Sequence, residues 1–113
     1  MQILFKIIDA GAWGEAVLRG SFLGAAIDLR DGYIHLSTAN QAQDTARLHF
    51  SGVRNLLLVA IDENVLARNL KWEASRGGQL FPHVYGVIDP ALILWAKPLV
   101  WDGSQHVFPV EFA

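Results

Sequence analysis

From Gln2 to Ile8 the chain is a run of β-formers broken only by Lys6, and this predicts a first strand. Gly11 and Gly14 loosen the next segment. Trp13, Ala16 and Val17 then fall at helical spacing, which predicts a short helix ending at Arg19 before Gly20. Residues 20–32 read as a connector closed by a turn at Asp31-Gly32, and Tyr33 to Ser37 as a short strand. Thr38 with Gln41 three residues on is in capping-box order. Ala39, Ala42, Ala46 and Phe50 then mark one helical stripe, with Gly52 as C′ residue. Asn55 to Ile61 is almost continuously apolar, as suits a strand covered on both faces. Residues 62–80 are mixed, with a polar loop at Ser75 to Gln79. Phe81 to Gly86 reads as a strand in which Pro82 asks for an edge or a strand start. Ala91–Trp95 and His106–Val110 complete the strands, with a turn at Asp102-Gly103. Two N-terminal helices and five or six strands predict a single α+β domain, residues 1–113, on a small, mostly antiparallel sheet.

Side-chain alternation then points to chemistry. Residues two apart on a strand share a face. Tyr33, His35 and Ser37 therefore point one way, and Ile34 and Leu36 the other. Phe81, His83 and Tyr85 share a face opposite Val84. Two such polar faces lining one cleft would offer two imidazoles, two phenols and a hydroxyl to a small, polar, partly aromatic ligand. A strand half open to water also carries polar residues on one side, but these faces hold His and Tyr rather than Lys, Glu and Thr. His35 also stands just before a helix start, where Thr38 and the free N–H groups that follow could take an anion.

Composition narrows the classes. The chain has 113 residues, enough for one core, and its 52% hydrophobic and 18% charged content excludes intrinsic disorder. The absence of cysteine excludes a disulfide scaffold, a thiolate metal site and a cysteine nucleophile. A net charge of −2 gives no basic field for phosphate backbones, so no nucleic-acid partner is expected. Apolar stretches such as Ala91 to Ala96 fall far short of the ~18 residues of a membrane span. Met1 to Asp9 shows no charged leader ahead of its apolar run, so no membrane partner and a cytoplasmic location are expected.

Glu73 lies beside Trp72, where desolvation would raise its proton affinity. It could hold a ribose hydroxyl or act as a base, or it could simply pair with Lys71 or Arg76 on the surface. Arg76-Gly77-Gly78 could wrap a phosphate, or be a plain turn. His35, His49, His83 and His106 are scattered without metal-ligand spacing, so no metal is predicted. No Gly-x-Ser-x-Gly elbow makes Ser37 a nucleophile.

Asp31-Gly32-Tyr33-Ile34-His35-Leu36-Ser37-Thr38, Leu70-Lys71-Trp72-Glu73, Gly77-Gly78 and Phe81-Pro82-His83-Val84-Tyr85-Gly86, together with Trp13, resemble the bacterial domain-of-unknown-function family 952 over nearly the whole chain. That family is remotely similar to the ADP-ribosyltransferase superfamily, whose split α+β fold grips NAD between two small sheets. The resemblance implies NAD or a related nucleotide as ligand, with ADP-ribosyl transfer or NAD cleavage as the reaction. It matches His35 and Ser37 to the contacts with the nicotinamide ribose and carboxamide, and His83 or Tyr85 to the residue against nicotinamide. In the superfamily a late acidic residue stabilises the ribosyl cation. Here Glu73 precedes the second aromatic strand, and Asp89, Asp102 and Glu111 after Tyr85 stand in no Glu-x-Glu or Gln-x-Glu arrangement. Either Glu73 takes that role beside His35, or the protein binds without transfer. The competing classes are a non-catalytic metabolite-binding module and an interaction module whose aromatic face meets a partner or a second copy of the chain.

Overall fold

The computed structural model describes residues 1–110 and Phe112. Strand β1 (Ile3–Asp9) pairs antiparallel with β3 (Leu56–Asp62), from Ile3↔Asp62 to Asp9↔Leu56. β6 (Trp95–Trp101) lies on the other side of β3, and β7 (His106–Val107) completes a sheet of order β1-β3-β6-β7. The second sheet has the order β2-β5-β4, built from β2 (Ile34–His35), β4 (Leu70–Ala74) and β5 (Leu80–Val84), again antiparallel. The helices are α1 (Ala10–Arg19), α2 (Ala26–Asp31), α3 (Ala39–His49) and the short α4 (Glu63–Leu66).

The apolar run of β3 is a central strand feeding both halves of the core. Val59 and Ile61 face one side, with Leu4, Ile8, Trp13, Ala16 and Phe22. Leu58 and Ala60 face the other, with Phe5, Ile7 and Ala42 and Ala46 of α3. Ile34, Leu36 and Val84 join the first cluster, so the three-stranded sheet turns its apolar side inward and its polar side outward. The two sheets meet at residues 34–37. Ile34 and His35 pair with Val84 and His83, whereas Ser37 exchanges bonds with Phe5 of β1 at 2.8 and 2.9 Å. One short segment thus belongs to both sheets.

Several expectations change. The connector 20–32 contains α2, the mixed stretch 62–80 contains α4 and β4, and of Ala91 to Trp95 only Trp95 is strand, the segment beginning in a 3-10 turn (Pro90–Leu92) that leads into β6. α3 is capped at its C-terminus by Phe50, and Gly52, at φ +81°, serves the turn beyond. β7 is confined to His106 and Val107 of the predicted His106–Val110 strand. Pro82 is on the central strand of its sheet, not at an edge. Its carbonyl accepts from Leu36 N–H at 3.0 Å, so its nitrogen also faces β2. The return bond cannot form, and the ladder with β2 ends at His35, so the proline falls where pairing stops.

Two glycines set the approach to β2. Gly32 caps α2 at φ +89° with open space around a built Cβ, so Gly32→Ala should cost roughly 1 kcal/mol, from backbone strain alone. Gly24, at φ +125°, would place a Cβ 2.9 Å from the Asp28 Cβ. Urea denaturation should therefore show Gly24→Ala to be the more damaging of the two. Equal losses would mean that Asp28 yields freely.

Candidate functional site

The register of the three-stranded sheet gathers the polar side chains. His35 is opposite His83, Lys71 is opposite His83 on the other side, and Glu73 is opposite Phe81. The alternation of each strand then puts Tyr33, His35, Lys71, Glu73, His83 and Tyr85 on one face. Tyr33 stacks on His83 with ring centroids 4.1 Å apart and planes 22° from parallel. It also meets His35 at 4.7 Å and Tyr85 at 5.2 Å, and the two imidazoles are 5.5 Å apart. The Lys71 ammonium sits 4.7 Å from the Tyr85 ring centre. His83 is buried beneath this layer, Tyr33, His35 and Glu73 are half-buried, and Tyr85 is exposed.

His35 is held from behind. Its Nδ1 is 2.7 Å from Asp28 Oδ1, and its backbone N–H donates to the same oxygen at 3.1 Å. Asp28 is itself buried, and its Oδ2 accepts from Ala25 N–H at 2.8 Å. Lys6 of β1, also buried, donates to both Asp28 oxygens at 3.0 and 2.9 Å and to the His35 carbonyl at 3.0 Å. Burial pushes the Asp28 carboxyl up, but Lys6 and the bonds from His35 and Ala25 outweigh it and hold the group below its ordinary value. The outer nitrogen, Nε2, is 3.0 Å from Asp31 Oδ2. Each ring nitrogen of His35 therefore faces a carboxylate oxygen. Lys6 and Asp28 went unnoticed in the sequence, where the only signal was a lysine interrupting an apolar strand.

His83 is held differently. Its Nδ1 is 2.8 Å from Glu73 Oε1, which also accepts from the Tyr85 hydroxyl at 2.7 Å. These two donors hold the Glu73 carboxyl below its usual range. This reverses the expectation from Trp72. Neighbours on a strand point to opposite faces, so the indole does not cover the carboxylate. Donating to Glu73 pushes the Tyr85 phenol up to about 12. Among the described residues Glu73 Oε2 and His83 Nε2 have no hydrogen-bond partner, and neither is sealed from solvent.

Not every candidate joins this cluster. Ser37 Oγ is 3.0 Å from Thr45 Oγ1 of α3, whose hydroxyl also receives Arg76 Nη2 at 3.4 Å. The Arg76 guanidinium lies 4.8 Å from the Phe81 ring centre. Thr38 starts α3, and its N–H donates to Gln41 Oε1 at 3.1 Å. Ser37 and Arg76 thus form a separate polar patch beside Phe81, and Thr38 serves the helix start. His106 Nε2 bonds the Val53 carbonyl at 2.8 Å, and His49 ends α3. Glu111 lies outside the described residues. Among those residues no three His, Asp or Glu side chains are placed to hold a metal ion, and no helix is long and apolar enough to cross a membrane. A groove of about 630 Å³ between α3 and the β7 region is lined by Arg47, Trp101 and His106 and holds none of the clustered rings. The pairing of the rings with ionised partners, rather than concavity, marks the sheet face as the candidate site.

Two measurements test this geometry. Asp28→Ala leaves the Lys6 ammonium buried without an anion and should cost about 3–5 kcal/mol in urea denaturation. Combining Asp28→Leu with Lys6→Met should cost clearly less than the two single changes added together. Because the folded state binds the Asp28 proton less tightly than the unfolded chain, its contribution is present above the ordinary carboxylate range and is lost as the pH falls below it. The chain has only two tyrosines. Ultraviolet titration should show one ionising near pH 12, and Glu73→Gln should bring that transition down toward the ordinary value.

Comparisons with known proteins agree with this architecture. The crystal structure of protein CC0527 from Caulobacter crescentus has a TM-score of 0.88 and 41% identity, over 92% of this chain and 91% of that one. The solution structure of the same protein gives a TM-score of 0.83 and 42% identity, over 94% and 91%. No curated protein matches the chain. The family described as "protein of unknown function (DUF952)" matches residues 7–96, which include the whole of the ring cluster and its carboxylate partners Asp28, Asp31 and Glu73. The chain belongs to the DUF952 family.

Proposed function

We propose that the polar face of the three-stranded sheet binds NAD or a related nucleotide, and that Glu73 there promotes cleavage of the bond between ribose and nicotinamide. The observation that carries this reading is a carboxylate held ionised by His83 and Tyr85, with its second oxygen uncommitted, beside the Tyr33–His83 stack. The arrangement of two small antiparallel sheets joined through His35 to Ser37 is compatible with the split fold that a resemblance to the ADP-ribosyltransferase superfamily implies. The face offers aromatic rings for a planar base, and a ribose hydroxyl would reach His35 Nε2 by taking the place of Asp31, a partly exposed carboxylate that also pairs with Arg30.

In the reaction, the bond from ribose C1′ to the nicotinamide nitrogen breaks and its electron pair leaves with nicotinamide. Positive charge develops on the ribosyl carbon, and the fixed carboxylate of Glu73 stabilises it increasingly as it grows. Water or another nucleophile then bonds to C1′ and releases a proton. A second reading, binding without cleavage, is favoured by the sharing of Glu73 Oε1 between two donors, which leaves a single oxygen for the ligand.

Calorimetric titration of NAD, nicotinamide and ADP-ribose separates the readings. Wild type should bind NAD, and His35→Ala, checked for folding by circular dichroism, should bind it at least tenfold more weakly. Glu73→Gln should retain binding while cleavage falls about a hundredfold. Binding without any cleavage by wild type selects the second reading. Failure of all three compounds to bind rejects the nucleotide assignment.

A further inference from the structure

The two imidazoles of the site are held in different ways. His35 has a carboxylate near each nitrogen, Asp28 at Nδ1 and Asp31 at Nε2. His83 has one carboxylate, Glu73 at Nδ1, and nothing at Nε2 among the described residues. An ionised carboxylate accepts and cannot donate. A ring carrying one proton therefore holds it on Nδ1, toward Glu73, and leaves its lone pair on Nε2.

We propose that His83 Nε2 is the proton acceptor of this site, so that the ligand presents a hydroxyl or a water molecule to it. This rests on the cleavage reading only for the identity of the nucleophile. There, the water oxygen bonds to C1′ as the electron pair of the breaking bond leaves with nicotinamide. The water proton passes to His83 Nε2 and from there to solvent. Glu73 fixes the Nδ1–H form of the ring and then faces the imidazolium that results. The other groups around the His83 ring are Tyr33, whose ring covers it, His35 at 5.5 Å, Lys71 directly across the ladder and Tyr85, which shares the Glu73 oxygen. Tyr85 remains a neutral donor to the carboxylate and does not compete for the proton of the nucleophile. Asp28 and Asp31 are engaged with His35. His83 Nε2 is thus the uncommitted imidazole nitrogen of the face.

Nitrogen-15 NMR of the histidine rings tests this without any ligand. In wild type and in Glu73→Gln, which keeps an acceptor, neutral His83 should carry its proton on Nδ1. In Glu73→Ala the proton should move to Nε2. A wild-type proton on Nε2, or a tautomer indifferent to Glu73→Ala, overturns the assignment. With NAD, the pH profile of wild-type turnover should fall on its acid side as Nε2 becomes protonated. His83→Gln should lose that limb together with about a hundredfold or more in rate. A limb that survives in His83→Gln also overturns it. If NAD is neither bound nor cleaved while the proton is found on Nδ1, the nucleotide reading fails and the assignment of the acceptor stands.

Discussion

An ammonium group taken out of water costs several kcal/mol unless an anion meets it, and Lys6 places one on a buried sheet face between Leu4 and Ile8. Asp28 is that anion. Its two oxygens also accept from Ala25 N–H, from His35 N–H and from the His35 ring. One buried carboxylate therefore fixes the start of α2, the middle of β1 and the entry to the three-stranded sheet relative to one another. The orientation of His35 is set by this pair more than by its two-residue strand. Residues packed only by apolar contacts could slide by fractions of an ångström, whereas a buried pair has one good geometry and penalises departures from it.

The crossing at residues 34–37 is the second constraint. Ile34 and His35 are bonded to β5 and Ser37 to β1, so the segment turns from one sheet to the other within a few residues. Pro82 helps to end the first pairing because it has no N–H to return to Leu36. His35 and Ser37, which alternation alone would place side by side on one face, part company here. His35 joins the ring cluster, and Ser37 turns to Thr45 and Arg76. The outcome is an open, ring-covered face with ionised partners at its edges. On such a face Tyr33 rather than solvent meets the His83 ring, and the carboxylates are separated into Asp28 and Asp31, which serve His35, and Glu73, which serves His83.

Where the chain was legible, the reason was a local pattern: a helical period in α1 and α3, and an almost unbroken apolar run in β1 and β3. α2 carries none, because Ile27 and Leu29 are exposed and its buried residue is Asp28, the reverse of an amphipathic pattern. β4 exposes most of its side chains, and β6 sets Lys97 on its inner face with Ala96, Pro98 and Val100 on its exposed one, so no clean apolar–polar alternation marks either strand. Those missed elements supply Asp28 and Asp31 from α2 and the strand under Glu73. Half of the site's electrostatics therefore lay in segments that read as loop.

The sequence by itself determined that Tyr33 shares a face with His35 and His83 with Tyr85, because the two-residue period of a strand is local and needs no partner. It also determined the buried central strand and the start of α3. Which carboxylate serves which imidazole was decided only by tertiary structure. Asp28 and His35 are 7 residues apart, Glu73 and His83 are 10, and Lys6 and Asp28 are 22. Separations like these acquire meaning only when strand register and chain crossing bring the groups within hydrogen-bonding distance. The charge on a side chain depends on what surrounds it, so the proton affinity of Glu73 could not be read from Trp72 beside it in the chain, but only from His83 and Tyr85 beside it in space.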